Sequence, residues 1–475
     1  MSERALADSI SAQQGRRGIT LLVLLLVLIV SAGLAFRLYR MIDANAVDLL
    51  FYDQIELYEA FLDDPSAWDL FRWQHGPHRQ GLPFLGTWLL ARLTDWNARA
   101  DAFQVFAYVL VATGLALALR RRLFGPFEAT DVAIPLLLLT PAQYGIFLHA
   151  PNASHCAGPI VLLLLACHAL LIRDRATRYA SLAALDFVLV HTGFAIFAGA
   201  ILPGLLALAA WQDHRAGLRR EAAIALAGAV LCLAWIGVFL IDYTGRNGLD
   251  AVVRTPTLSS YPRYVAFMFS NVLGLKDPSA LAFGVGGGVA LAALVVGVAS
   301  LARLLGWRRP GPDEFVPGPG GRAVAEVDAA TPAVVLLLTA FTLLYCAATA
   351  VGRIQFGLSG AQSSRYVPLV APAFLGLYFA VCGLARRPLR LALGAVAIAA
   401  IVHASFPMHP MEERFMTQLA QKKRAWVAAY RQSGNVAAAS RAARLRIDPF
   451  RDPRRSTDET FAWLREHRLS FFADR

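Results

Sequence analysis

Apolar runs of bilayer-crossing length recur along this chain, separated by short polar segments. A membrane helix needs about 20 mostly apolar residues. The runs begin with Ile19–Phe36, continue at about 103–119, 132–148, 158–172, 179–190, 194–211, 222–241, 281–305, 334–350 and 367–384, and end at 391–405. The pattern predicts an all-α polytopic membrane protein of about eleven spans, with residues 1–405 as the transmembrane domain and 406–475 as a polar, helical tail. Arg16 and Arg17 precede the first span, and basic clusters at 120–122, 173–175, 214–220, 307–309 and 386–387 follow later ones. Positive charge gathers on the cytoplasmic side. This predicts a cytoplasmic N-terminus in an inner membrane, with the first loop (37–100) and the tail on the outer side. An error of one span in the short segments three to five would move the tail inside.

The first loop is the longest polar interruption. Phe51, Ile55, Tyr58 and Leu62 share one helical face, and Asp53, Glu56, Glu59 and Asp63 the other, which predicts an amphipathic helix at the interface. Asp64-Pro65 predicts an N-cap and first turn of a second helix ending near Gln74. Residues 83–93 and 264–275 are apolar but short, and predict interfacial segments.

Composition agrees with the pattern. The chain is 57% hydrophobic and 16% charged, a balance unlike that of a soluble domain. The net charge of +12 lies mainly in loops and at helix ends, so it argues for membrane orientation and not for nucleic acid. The arginine and alanine bias points to a GC-rich bacterial genome. The first run is too long for a cleaved signal and reads as an anchor. Cys156, Cys167, Cys232, Cys346 and Cys382 form no CxxC pair and read as packing residues.

Four constellations could carry chemistry. Asp53 and Glu56, three apart on a helix, suit general-base work or a divalent metal. A charge beside the membrane boundary is costly unless used, which singles out Asp53. His75-Gly76-Pro77-His78-Arg79 displays two imidazoles and a guanidinium from a rigid turn, a donor set suited to phosphate. Gly352-Arg353 to Gly357 and Ser363-Ser364-Arg365-Tyr366 place two arginines in another loop on the same side, with Arg246, Arg254 and Arg263. Cations kept there call for an anion, and a lipid-linked phosphate is the natural one. Tyr144, His149, Asn152, His155 and His191 form the fourth group, for which packed or hydrogen-bonded histidines are a better reading than a metal site. The chain has no HExxH, Walker or GxSxG motif in a credible context.

This layout resembles the GT-C class of integral-membrane glycosyltransferases, which includes aminoarabinose–lipid A transferases and protein O-mannosyltransferases. It is most similar to bacterial membrane proteins of GT-C-like layout with His-Asn-Glu-His-Arg in the first loop, Gly-Arg…Phe-Gly…Ser-Arg-Tyr in a later loop and Leu-Ser-Phe near the end. The matching positions are Asp53; His75, His78 and Arg79; Arg353, Gly357, Arg365 and Tyr366; and Leu469-Ser470-Phe471. Gly76-Pro77 stands where that pattern has Asn-Glu, so the acid role falls on Asp53 and Glu56. The resemblance implies a polyprenyl-phosphate sugar donor and a glycan, lipid or protein acceptor. Asp53 would be the base, and Glu56 would hold the acceptor or a divalent metal if one is used. Arg79, Arg353 and Arg365 would meet the departing phosphate. The resemblance calls for no obligatory cofactor. The competing expectations are a transporter or lipid-linked glycan flippase, which would carry charge within its spans as Asp186 does, and an envelope scaffold without chemistry.

Overall fold

The computed structural model describes residues 3–244, 257–306, 324–405, 408, 410–448 and 456–473. The described residues are mainly helical. In order it forms α1 (Glu3–Asn45), α2 (Asp53–Glu59), α3 (Ala67–Phe71), a two-stranded hairpin of β1 (Gln74–His75) and β2 (His78–Arg79), α4 (Gly81–Leu93), α5 (Ala98–Phe124), α6 (Ala133–Leu138) and α7 (Gly145–Leu148). It continues with α8 (Ala157–Ala169), α9 (Arg175–Val190), α10 (Ile196–Arg215), α11 (Arg219–Leu240), α12 (Ser260–Val272), α13 (Ala280–Leu304), α14 (Val324–Arg353), α15 (Val367–Cys382) and α16 (Arg387–Ser405). The tail is α17 (Pro410–Ser433), α18 (Val436–Ala443) and α19 (Thr457–Glu466).

Among the described residues seven helices are long and apolar enough to cross a membrane: Thr20–Asn45, Ala98–Phe124, Gly193–Arg215, Arg219–Leu240, Ala280–Leu304, Ala330–Phe356 and Ser364–Cys382. The expected third span is not one helix. Pro135 and Pro141 fall within it, and the chain breaks into α6, a 3-10 turn at Pro141–Gln143 and α7. Nearly all of this stretch is buried. Irregular backbone at membrane depth is tolerated where protein, not lipid, surrounds it. The fourth segment, α8, is a 13-residue apolar helix that is also mostly buried. The segment 264–275 falls largely in α12, which packs Tyr264, Phe267, Met268 and Phe269 into the main apolar core.

Charged pairs knit one end of the bundle together. Arg120 Nε lies 2.7 Å from Asp131, both almost fully buried, and Tyr378 donates to the same carboxylate at 2.6 Å. Arg390 pairs with Glu128 at 2.6 Å, and Arg175 with Asp213. These pairs join the C-terminal part of α5, the turn before α6, and α9, α10, α15 and α16.

The opposite end carries the first loop and the tail, which share a second apolar core. Leu50, Phe51, Ile55, Tyr58 and Trp96 pack with Trp426, Tyr430, Phe461 and Phe471. Neither segment covers its apolar face alone, so the division at residue 405 separates stretches of chain and not packing units. In the first loop, α2 is shorter than the expected helix. The next helix starts later than Asp64-Pro65 predicts: Asp64 sits at φ 44°, and Ser66 caps α3 by accepting from the Asp69 amide at 3.2 Å. The cysteines are buried and unbridged.

Candidate functional site

The site is built at the loop–tail end. Tyr52 begins it with φ 55° and ψ −129°, a conformation costly for any residue with a side chain. Its amide donates to Ile447 O at 2.8 Å. Asp53 is the first residue of α2, which is anchored from below: Gln54 and Tyr58 both donate to buried Asp101 of α5, at 2.8 and 2.9 Å. That leaves Asp53 partly exposed and Glu56 exposed on the opposite face. Among the described residues Asp53 makes no hydrogen bond or ion pair.

The hairpin turns at Gly76, φ 57°. His75 Nδ1 lies 3.4 Å from Glu56 Oε1, longer than a formed hydrogen bond but within ion-pair reach. Burial pulls the His75 pKa down, yet Glu56 and Asp53 outweigh it and hold it above the usual value. His78 is pushed down to about 3 by burial, helped by the charges of His75 and Arg353.

His155 joins them. Its ring centroid is 5.6 Å from that of His75 and 5.5 Å from that of His78. Its Nε2 is 2.9 Å from Gln80 Nε2, and Asn152 donates to Gln80 Oε1 at 3.1 Å. Close backbone approach brings this loop in: a Cβ at Gly193 would collide with Ser154 O, and one at Gly81 with Thr192. Burial, with the charges of neighbouring histidines and arginines, holds the His155 pKa well below its usual value. The His149 ring packs at a tilt against Tyr52, centroids 4.6 Å apart, and burial plus Arg365 and Lys423 push its pKa down to about 3.

The later loop arrives from α14 and α15. Arg353 and Arg365 are both exposed, and neither has a hydrogen bond or ion pair among the described residues. Arg353 lies over the Phe356 ring at 5.7 Å. The stem of Arg365 rests on Gly145, where a Cβ would crowd it. Arg353 acts electrostatically on His75, His78 and His155, and Arg365 on His149 and His155. A run of rings links the two loops: His78 to Phe194 at 4.2 Å, Phe194 to Tyr345 at 5.0 Å, and Tyr345 to Tyr366 at 6.3 Å.

The structure therefore brings Asp53, Glu56, His75, His78, Arg353, Arg365 and Tyr366 to one end. Arg79 is placed differently. It is buried, and its guanidinium donates to the carbonyls of Phe239 at 3.0 Å, Arg72 and Ile241. With those donors engaged, it holds the hairpin against the end of α11. Leu469-Ser470-Phe471 is likewise a docking segment: Ser470 binds Asp95 O at 2.6 Å and Asp48 at 3.0 Å, and Phe471 enters the second core. Arg263 lies over Phe283 at 5.8 Å. Arg246 and Arg254 lie outside the described residues. His191 is buried among Phe71, Phe187 and Phe239. Gln80 escaped the sequence reading because a lone glutamine beside a turn carries no pattern.

Among the described residues no three His, Cys, Asp or Glu side chains are grouped to hold a metal ion. A separate open groove of about 690 Å³ runs between α1, α4 and α5, lined by Tyr39, Leu89, Leu93, Arg99 and Phe103, and includes none of the candidate residues. Chemically, the site offers two carboxylates, an imidazole biased toward its charged form, neutral imidazoles behind it, and two exposed guanidiniums. No family model, curated protein or solved structure matches this chain.

Proposed function

We propose that the protein is a GT-C-like glycosyltransferase that moves a sugar from a polyprenyl-phosphate donor to an envelope acceptor at the outer face of the cytoplasmic membrane. The observation that carries this reading is the meeting of Asp53, Glu56 and His75 with Arg353 and Arg365, about 300 positions later, at one end of an apolar bundle. A lipid-linked phosphate sugar needs this combination: a base for the acceptor, cations for the leaving phosphate, and membrane for the lipid.

In this mechanism Asp53 takes the proton of the acceptor hydroxyl. The hydroxyl oxygen bonds the anomeric carbon as the sugar–phosphate C–O bond breaks, and the electron pair leaves on the lipid phosphate. Arg353 and Arg365 stabilise that growing charge, an effect typically worth about 10²–10³ in rate per donor. His75, biased toward its protonated form by Glu56 and Asp53, adds a further donor. Glu56 orients His75 and lies beside the acceptor position. Arg79 acts here by shaping the hairpin.

The finer topology belongs to the same reading. Counting α6–α7, α8, α9 and α16 with the seven long helices gives eleven passes. A cytoplasmic N-terminus then puts the arginine-rich end inside, as the positive-inside rule asks, and the loop–tail end outside. Surface glycans of cells carrying only Asp53→Asn or Arg353→Gln test the reading. Loss of a sugar with normal protein level supports it, and unchanged glycans in both variants refute it.

One observation favours a carrier as the second reading. Asp186 of α9 is fully buried, and among the described residues the weak thiol donor Cys232 is the polar group its carboxylate faces. Intramembrane acids often mark ion pathways. A carrier would fail with Asp186→Asn and tolerate Asp53→Asn, the reverse of the transferase.

A further inference from the structure

The tail reaches into the site at two points. Lys423 of α17 is almost fully buried, 4% exposed. Its Nζ donates to Leu148 O at 2.9 Å and His149 O at 3.3 Å, and lies 4.2 Å from the centre of the Phe51 ring. The carbonyls are those at the end of α7, where the broken helix leaves acceptors without amide partners. A buried ammonium costs much desolvation unless carbonyls or rings replace its water, so this lysine is held by three groups at once. The second point is Ile447, whose carbonyl receives the amide of Tyr52.

Both points converge on one short segment. Phe51 lies under Lys423, Tyr52 under Ile447, and His149 packs against both rings, at 5.5 and 4.6 Å. Tyr52 holds φ 55° and ψ −129°, a region suited to glycine. Such a conformation persists only where its surroundings impose it. The residue that follows is Asp53. Thr460 adds a third tie from the tail, donating to Glu59 of α2 at 3.1 Å.

We propose that the tail is a clamp built into the catalytic end: Lys423 and the Ile447 carbonyl hold the strained Phe51-Tyr52 turn, and through it set the position of Asp53 and Glu56 opposite His75. Lys423 is a positioning residue, since it touches the turn and not the reacting groups. Its catalytic consequence rests on the glycosyltransferase reading, but its structural content does not.

The test uses the full chain in lipid nanodiscs, with hydrogen exchange read beside transfer from a polyprenyl-phospho-sugar. Lys423→Met keeps the stem and removes the donors. Exchange should rise in residues 53–60 and 146–150 and stay unchanged in α10, α11 and α13. The turnover rate should fall about 10-fold or more while KM for the donor holds, because small misplacements of reacting groups cost rate. Lys423→Gln, which keeps a donor, should fall between. Tyr52→Gly removes the strain and should restore part of the Lys423→Met loss. Unchanged exchange at 53–60 in Lys423→Met overturns the clamp, as does a rise spread equally over the spanning helices. If exchange behaves as stated but the unaltered protein transfers no sugar, the clamp stands and the transferase reading falls.

Discussion

Mild acid should loosen the site end of this protein, and the size of the effect follows from its half-buried histidines. His78 and His149 are each pushed down to about 3, and His155 lies well below its usual value, in every case chiefly by burial. In the unfolded chain each would titrate near about 6.5. A group depressed in the folded state contributes stability above its unfolded pKa, and that stability is lost as pH falls toward the folded value. At pH ~5.5 the unfolded histidines are mostly protonated and the folded ones are not, a difference of about 1.4 kcal/mol each and at most about 4 kcal/mol for three. His75 works in the opposite sense. Its raised pKa adds stability below the unfolded value, lost as pH rises through the folded one, so it offsets part of the drop. Thermal unfolding in detergent, followed by tryptophan fluorescence of the loop–tail core, should therefore show a lower midpoint at pH ~5.5 than at pH ~7.5. His149→Gln should reduce that loss by about 1.4 kcal/mol, the contribution of one of the three depressed histidines. Equal or higher midpoints in acid, or a loss untouched by the substitution, would refute the reasoning.

Asp131→Asn leaves the buried Arg120 cation without its counter-charge and should cost about 3–5 kcal/mol, read as a fall in thermal stability. Trp426→Ala removes a fully buried ring that stacks on Tyr430 at 5.1 Å, and should cost about 3–5 kcal/mol. That loss should show as proteolysis of the first loop and tail while the bundle stays intact. Arg79→Gln should lower stability and yield with little change in donor KM, since Arg79 binds carbonyls of its own chain. Arg353→Gln should spare stability and cut turnover by about 10²–10³; the reverse pattern would exchange their roles.

Much of the fold was legible because membrane helices announce themselves through local hydropathy. A helix here was visible in the alternation of Phe51, Ile55 and Tyr58 with Asp53, Glu56 and Glu59, but its start at Asp53 and its end at Glu59 were not. The Gly76-Pro77 turn was visible in its chemistry, since glycine there takes positive φ. The broken third segment was harder: its apolar run reads as one helix, and its prolines become decisive only because the segment is buried and need not satisfy lipid. Arg79 could not be told from Arg353 by sequence, because what separates them is the backbone of residues 239–241 arriving to occupy one guanidinium. The same holds for His155 and Lys423. Each gains its place through contacts with residues about 75 and 275 positions away, and no local pattern encodes such partners.

The central claim is that Asp53 activates an acceptor beside a lipid-phosphate site formed with Arg353 and Arg365. Purified protein in nanodiscs, given a radiolabelled polyprenyl-phospho-sugar and cell-envelope acceptor, tests it most directly. The account predicts label transfer with release of polyprenyl phosphate, and a loss of about 10²–10⁴ in turnover for Asp53→Asn with donor binding retained. Transfer by Asp53→Asn at the unaltered rate would contradict it.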